Sequence, residues 1–256
     1  MFKRSAAAIA AAMCVWAAAP AAAGIANLFD GLSTTAQVTH VSKYIWHGLA
    51  LNPDPAIQPS VTISSKNGFG LNFWGSYDTT NIVGEKDKFT ESDYALTYSY
   101  KDQNNPVVAK AQYLTFPGRP SGSFLRLAIS ETYRGPLSPS TTIKYDYGNV
   151  HGACVTFGVA HDLSFGLGKK APAMKLSAAI SAADKNFTGS YYGYRKFTAT
   201  DVLASLSLPI KVAGNISLTP AVSYSYIVDG DLADSVTTGG GDRQNWIVSF
   251  TGTGAF

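Results

Sequence analysis

The last eleven residues, Trp246-Ile-Val-Ser-Phe-Thr-Gly-Thr-Gly-Ala-Phe256, place Trp246, Val248, Phe250 and Phe256 on one parity, while Asn245, Ser249, Thr251 and Thr253 occupy the other. Ile247 is the one large exception. Side chains of an extended backbone point alternately to opposite faces, so this segment reads as a β-strand with one apolar and one wet face. Any fold for the chain must then offer something apolar to one face of the strand and something polar to the other. The requirement is general, because the same alternation recurs along the sequence.

Period-two segments bounded by Gly, Pro, Asn, Asp and Ser give twelve candidate strands. They are Gln37–Trp46, Ile57–Ser64, Phe69–Asp78, Phe89–Tyr100, Val107–Phe116, Phe124–Tyr133, Thr141–Tyr147, Ala153–Leu163, Met174–Ala182, Phe197–Ser207, Ile216–Tyr226 and Asn245–Phe256. Most match the ~9–11 residues of a tilted membrane-crossing strand and exceed the usual ~5–6 of a globular one. Hydropathy decides nothing here, since a mean of +0.03 suits a soluble domain as well as strands that dilute their greasiness by alternation.

Connection lengths add an independent constraint. On one side the intervals are His47–Ala56, Thr79–Lys88, Pro117–Ser123, Gly148–Gly152, Ala183–Lys196 and Ile227–Gln244. The other side has Ser65–Gly68, Lys101–Pro106, Arg134–Ser140, Ser164–Ala173 and Leu208–Asn215. The two longest fall on the first side, as in outer-membrane barrels with long external loops and short periplasmic turns, and an even strand number returns both termini to the periplasm. The expectation is an all-β fold, a transmembrane antiparallel up-and-down barrel of about 12 strands.

The apolar parity carries Ile57, Val61 and Ile63, then Leu71 and Phe73, then Leu96, Leu125, Leu127, Leu176, Leu218 and Val222. Aromatic residues collect at the strand ends, as in an interfacial girdle. Trp46, Tyr77, Tyr145, Tyr147, Tyr224, Tyr226 and Trp246 form the outer level, and Tyr98, Tyr100, Tyr133 and Phe256 the inner one, together with Phe69. A soluble sandwich or lipocalin-like barrel would alternate equally well with its apolar parity inside, but it has no use for two levels of rings.

The opposite parity carries Lys43, Asp78, Glu91, Asp93, Lys110, Arg126, Lys144, Asp146, Lys175 and Asp201, five of each sign, as candidate pore-lining residues. A Lys or Arg at a lipid midplane costs about 2–4 kcal/mol, so charges gathered on one parity mark it as the lumen. Glu131 and His161 break the rule near strand ends, where the cost fades. Balanced charges fit either a narrow pore with a transverse field or a salt-bridged lumen filled with side chains. Glu91 and Asp93 are expected to face Lys110 and Arg126 across neighbouring strands as partly solvated pairs, each contributing roughly 0–1 kcal/mol.

The start of the chain has the form of an export signal: Met1-Phe-Lys-Arg4 is basic, Ser5 to Ala19 is apolar, and Ala21-Ala22-Ala23 satisfies the small-residue cleavage rule. Residues 1–23 are therefore expected to be removed, leaving 24–256 as one barrel domain with a periplasmic lead over 24–36. Cys14 is preceded by Met13, where a lipoprotein signal has a small residue, so lipidation is set aside. Loss of Lys3 and Arg4 from 20 basic residues leaves 18 against 17 acids, a formal charge of +1 that implies no nucleic-acid partner. Cys154 then stands without a second thiol and is expected to be inert packing in the lumen. The partners this scheme implies are outer-membrane lipid, small polar solutes and, through the C-terminal strand, the barrel-assembly machinery.

Signs of catalysis are thin. His40-Val-Ser42 resembles the His-x-Ser pair of outer-membrane lipid hydrolases, yet no third group to orient the imidazole is identifiable beside it. The sequence contains no phosphate loop, nucleophile elbow or metal-ligand spacing, and Asp229-Gly-Asp-Leu-Ala-Asp234 lacks the terminal Glu of a calcium loop. No cofactor is implied, and the expectation is a protein that is not an enzyme. Ala183–Lys196, rich in Tyr and Gly, has the composition of a binding loop.

Val41-Ser-Lys-Tyr-Ile-Trp-His-Gly48, Pro55-Ala-Ile-Gln-Pro59 and Gly70-Leu-Asn-Phe-Trp-Gly-Ser-Tyr77 together resemble the TorF-type family of outer-membrane porins, as do Tyr113-Leu-Thr-Phe-Pro117 and Pro136-Leu-Ser-Pro139. The resemblance implies a barrel in the bacterial outer membrane with transport activity and no catalytic residues. His47 departs from it, standing where the first motif of that family has Arg. Two readings follow, a passive channel for small polar solutes or ions and a non-conducting structural or adhesion barrel whose outer loops do the binding.

Overall fold

Alternation becomes a closed wall in the computed structural model, which describes residues 30–81, 86–100, 105–164 and 172–256. The wall consists of β1 (Ser33–Val41), β4 (Ala56–Ser64), β5 (Phe69–Asp78), β6 (Lys88–Tyr100), β7 (Val107–Thr115) and β8 (Phe124–Thr132). It continues with β9 (Ser140–Asp146), β10 (Gly152–Leu163), β11 (Met174–Ala183), β12 (Thr198–Ser207), β14 (Ile216–Ile227) and β15 (Gln244–Ala255). Each of these twelve strands pairs with the next, and β15 closes on β1 from Thr35–Ala255 to Val41–Ser249. The fold is thus a closed 12-stranded antiparallel barrel, as the alternation required.

Three further strands lie outside this ring. β2 (Tyr44–Trp46) and β3 (Leu49–Asn52) form a separate hairpin, and β13 (Ile210–Ala213) pairs with β14 in a turn at the opposite end. The expected first strand, Gln37–Trp46, is therefore corrected: β1 starts at Ser33, stops at Val41, and the chain turns inward. Long intervals expected as loops are also partly helical, with α1 (Lys185–Tyr192) and α2 (Gly230–Thr238). Their starts are set by carboxylate caps. Asp184 accepts from the amides of Asn186 and Phe187, and Asp229 from those of Asp231 and Leu232.

The hairpin and both helices sit at one end of the barrel, here the loop end, and the short connections and chain ends define the turn end. The sheet exterior exposes Val38, Val61, Phe73, Leu96, Leu125, Ile143, Phe157, Leu176, Val222 and Phe250. A belt this apolar demands a non-aqueous surrounding. Among the described residues no helix is long and apolar enough to cross a membrane, so any crossing belongs to the strands.

Inside, hydroxyl and amide groups link one strand to the next. Thr39 meets Thr251 at 3.0 Å, Ser130 meets Thr142 at 3.0 Å, and Ser223 donates to Ser205 at 2.9 Å. Asn72 donates to Thr62 at 2.8 Å and to Ser60 at 2.9 Å. Several inward residues nearest the turn end, such as Gln37 and Lys175, remain solvent-exposed, so that end of the lumen is open. The two charged exceptions do point outward: His161 is flanked by Leu176, and Glu131 accepts from the Tyr133 hydroxyl at 2.9 Å.

Candidate functional site

The lumen at the loop end is filled, and the filling begins with a tight turn. His47 and Gly48 have φ of 48° and 80°, the left-handed pair of a type I′ turn, between Trp46 and Leu49. Gly is required at 48 for a second reason, since a Cβ there would meet Ile227 Cγ1 at 2.6 Å. This turn drives β2–β3 into the barrel, where Trp46 and Leu49 pack against a core of Cys154, Ala183, Phe187, Tyr192, Ile227, Leu232 and Ala233. Phe187, Ile227 and Leu232 have no exposed surface. The assignment of Trp46 to the outer girdle is accordingly corrected. Its ring lies inside, 4.6 Å from Tyr191 and 5.7 Å from Phe187, because the strand that would have carried it to the lipid face ends five residues earlier.

Polar groups of the wall hold this plug. Arg126 on β8 donates from Nε and Nη2 to both carboxylate oxygens of Asp146 on β9, at 2.6 and 2.9 Å, with Asp146 completely buried. Tyr191 donates to the same carboxylate at 2.7 Å, tying α1 to the wall. The guanidinium also faces the Trp46 ring at 5.1 Å. His47 Nδ1 lies 2.8 Å from Asp201 Oδ1, its Nε2 is in contact with Lys144 Nζ, and Tyr192 donates to the His47 carbonyl at 2.6 Å. Lys43 donates to Asn245 at 3.2 Å and approaches Asp242.

Electrostatics follow from this burial. His47 is held below the usual histidine range, first by loss of water and then by the neighbouring Lys144 and Arg126, against the pull of Asp201. It is therefore neutral at pH 7, donating through Nδ1 to Asp201 and offering Nε2 to the Lys144 ammonium. Burial and Asp146 push the Tyr191 phenol well up, so it remains a donor. On the exposed rim, Thr198, the Leu232 amide and Lys196 hold Asp229 down to about 2. Asp229 is thus a helix cap and an ion-pair partner of Lys196 at 3.1 Å.

The ten candidate lining residues all face inward, but the structure distributes them unevenly. Asp78, Glu91, Asp93, Arg126, Asp146 and Asp201 are buried near the loop end, with Lys43, Lys110 and Lys144 half-buried and Lys175 exposed near the turn end. The expected facing of Glu91 and Asp93 with Arg126 is corrected. Strand register sets Arg126 directly opposite Asp146, which takes both guanidinium hydrogen bonds, while Glu91 accepts from Tyr44 at 3.0 Å and Asp93 from Gln112. Glu91, Asp93 and Arg126 are each buried, while Lys110 is half-buried. Tyr44, Phe187, Tyr191, Tyr192 and Asn245 were not legible as site residues, although His47-Gly48 between two short apolar runs is a hairpin signal.

The His40 and Ser42 pair shows no catalytic arrangement. Ser42 Oγ accepts the Val248 amide at 2.9 Å, and His40 is flanked by Ile57 and Phe250. Cys154 is a buried free thiol.

Two spaces adjoin the loop end, a shallow one against Lys88, Phe89, Pro117 and Gly118, and a more enclosed one beside β5, β6 and the β7–β8 connection. The second is a cavity of about 190 Å³ lined by Tyr44, Leu51, Asp78, Thr90, Glu91, Phe116, Gly118 and Arg119. Below it, Asp93, Gln112 and Lys110 continue the inward face of β6 and β7 toward the open half.

Apolar without, polar within and closed by hydrogen bonds all round, the chain has the architecture of the transmembrane β-barrels. No protein-family model matches the sequence, and no curated protein sequence does. Among solved structures it is similar to the KdgM porin in complex with disordered oligogalacturonate, at 13% identity and a TM-score of 0.51, over 88% of this chain and 99% of that one. It is likewise similar to the NanC porin, at 12% identity and a TM-score of 0.51, over 86% of this chain and 98% of that one. At such identities the likeness concerns the fold, a barrel of the outer-membrane porin type.

Proposed function

We propose that this protein is an outer-membrane porin, a narrow passive pathway for small polar solutes or ions that runs off-axis along the β5–β8 wall. The observation that carries the reading is the position of the loop-end cavity, which lies over the same wall strands that line the open half of the lumen. Solute would enter past Arg119 and Asp78, pass the Tyr44–Glu91 and Gln112–Asp93 contacts, and leave through the hydroxyl-rich half below. Wall residues fixed by their strands would set selectivity through their charge, as in other pores. The fold likeness to two porins supports transport over catalysis, and the apolar belt supports insertion in lipid.

The expected biogenesis accompanies this proposal: removal of residues 1–23, which lie outside the described residues, then insertion in the bacterial outer membrane through recognition of the C-terminal strand. Mass spectrometry of the membrane-extracted protein checks the first step, and a mature chain beginning near Met1 refutes it. Planar-bilayer recording of purified protein tests conduction. Small unitary currents support the porin reading, and their absence across many insertions defeats it. A second reading, a non-conducting barrel whose loop end binds a partner, is favoured by one specific fact, the complete burial of Phe187, Ile227 and Leu232 across the lumen.

A further inference from the structure

We infer that the loop-end cavity is a binding subsite for the positively charged group of a small solute, an ammonium or a monovalent cation. The inference rests on the porin reading for its place in transport and on the local chemistry for its ligand. Asp78 is 1% exposed and lines the cavity. Its Oδ1 accepts from Thr90 at 3.1 Å, while Oδ2 has no hydrogen-bond partner among the described residues. One strand away Glu91, also lining the cavity, accepts a hydrogen bond from Tyr44 at one oxygen, and deeper along β6 Asp93 has a second buried oxygen without a partner. A buried carboxylate oxygen left unpaired costs free energy that a bound cation would recover.

Neighbouring basic residues offset these acids only in part: Arg126 acts on Glu91 and Asp93, Lys110 acts on Asp93, and Lys88 stands opposite Asp78 in the strand register. Arg126 is committed to Asp146 through both hydrogen bonds, and Lys144 belongs to the His47–Asp201 side of the lumen. Lys110 stands further down the wall opposite Thr97. Among the described residues Arg119 is the one basic residue lining the cavity, and it is exposed at the rim rather than buried with the acids. The remaining walls suit an ammonium better than an anion. Phe116 and Tyr44 provide aromatic surface, and Tyr44 is backed by Trp74 at 5.6 Å, so rings and carboxylates converge as they do around organic cations. An anionic sugar chain like the oligogalacturonate of the fold neighbour would be repelled by the same groups.

The test uses the full mature barrel in detergent and tetramethylammonium chloride as probe, with sodium acetate as its anionic counterpart. Calorimetric titration should show saturable tetramethylammonium binding and none for acetate. In Asp78→Asn, which keeps the shape and the Thr90 contact, binding should weaken about tenfold, equivalent to about 1.4 kcal/mol. Arg119→Ala should tighten it. Heat-modifiable gel mobility confirms that each variant is folded, and Glu91→Gln serves if Asp78→Asn does not fold. Equal binding by wild type and the folded variant, or preference for acetate, overturns the subsite. In bilayers under a KCl gradient, the wild type should favour K⁺ and Asp78→Asn should move the reversal potential toward zero. Conduction without cation preference overturns the inference while leaving the porin reading intact; no conduction defeats the porin reading, and the titration still decides the subsite.

Discussion

The two halves of the lumen are built from one strand pattern and end as different materials. Toward the turn end, inward positions include Thr39, Thr251, Ser130, Thr142, Ser205 and Ser223, short side chains that bond across adjacent strands. Toward the loop end, inward positions hold Asp78, Glu91, Arg126, Asp146 and Asp201, which reach across and engage the hairpin and helices. The difference teaches that polarity alone does not make a channel. Short hydroxyls satisfy one another along the wall, whereas long charged side chains require partners in the middle, and the chain delivers those partners on β2, β3 and α1.

The comparison predicts where the molecule breaks. Arg126→Ala should have the largest effect, because it leaves the Asp146 carboxylate buried without its guanidinium, a loss of about 3–5 kcal/mol. Urea unfolding in micelles, followed by gel mobility, measures it, and Lys175→Ala at the exposed end should stay within about 0.5 kcal/mol. If the two variants behave alike, the distinction between the halves fails. Phe187→Ala removes a fully buried ring from the plug and should cost about 3–4 kcal/mol. It should leave unitary conductance near the wild-type value, because the proposed path follows β5–β8, and a marked rise in conductance would place the path through the plug instead.

Acidification should have a smaller, graded effect through His47. Its folded pKa lies below the unfolded value of about 6.5, so the unfolded chain binds the proton more readily. Stability is then complete above that value and declines as pH falls below it toward the folded pKa. Protonation would also remove the lone pair facing Lys144 and add a cation beside it and Arg126. Between pH 7.5 and 5 the change in thermal midpoint should be less favourable for the wild type than for His47→Gln, and identical changes in the two would refute the role of His47. Smallest of all, Asp229→Ala and Asp184→Ala should each cost about 1 kcal/mol by uncapping one helix. Asp184→Ala should loosen the plug more, since α1 and not α2 carries Phe187 and Tyr191.

Much of this was readable from one strand pattern, and the part that was not has a physical reason. Parity put Asp146 and Arg126 inside correctly because a one-residue shift would carry a charge to the lipid face. Parity cannot rank partners along the wall. Pairing Arg126 with Asp146 instead of Glu91 depends on register, and register depends on where each strand begins. Trp46 misleads for a related reason, since an aromatic at the end of an alternating run has the same local pattern whether its strand continues or folds back. Phe187 lies in a Gly- and Tyr-rich interval whose helix is short and nearly without an amphipathic stripe, so its burial comes from tertiary packing alone.

The turn at His47–Gly48 has a temporal consequence. The hairpin it creates is made early in the chain, but its neighbours are Tyr191, Tyr192, Ile227 and Asn245, separated from it by most of the sequence, and the seam of the wall joins the first strand to the last. Ordering the lumen therefore waits for late segments of the chain, since the indole docks on Phe187 and Tyr191 of α1 and the imidazole on Asp201 of β12. Contacts between such distant segments are slow to form, so the aromatic-tipped arm stays without its partners until most of the wall has been made.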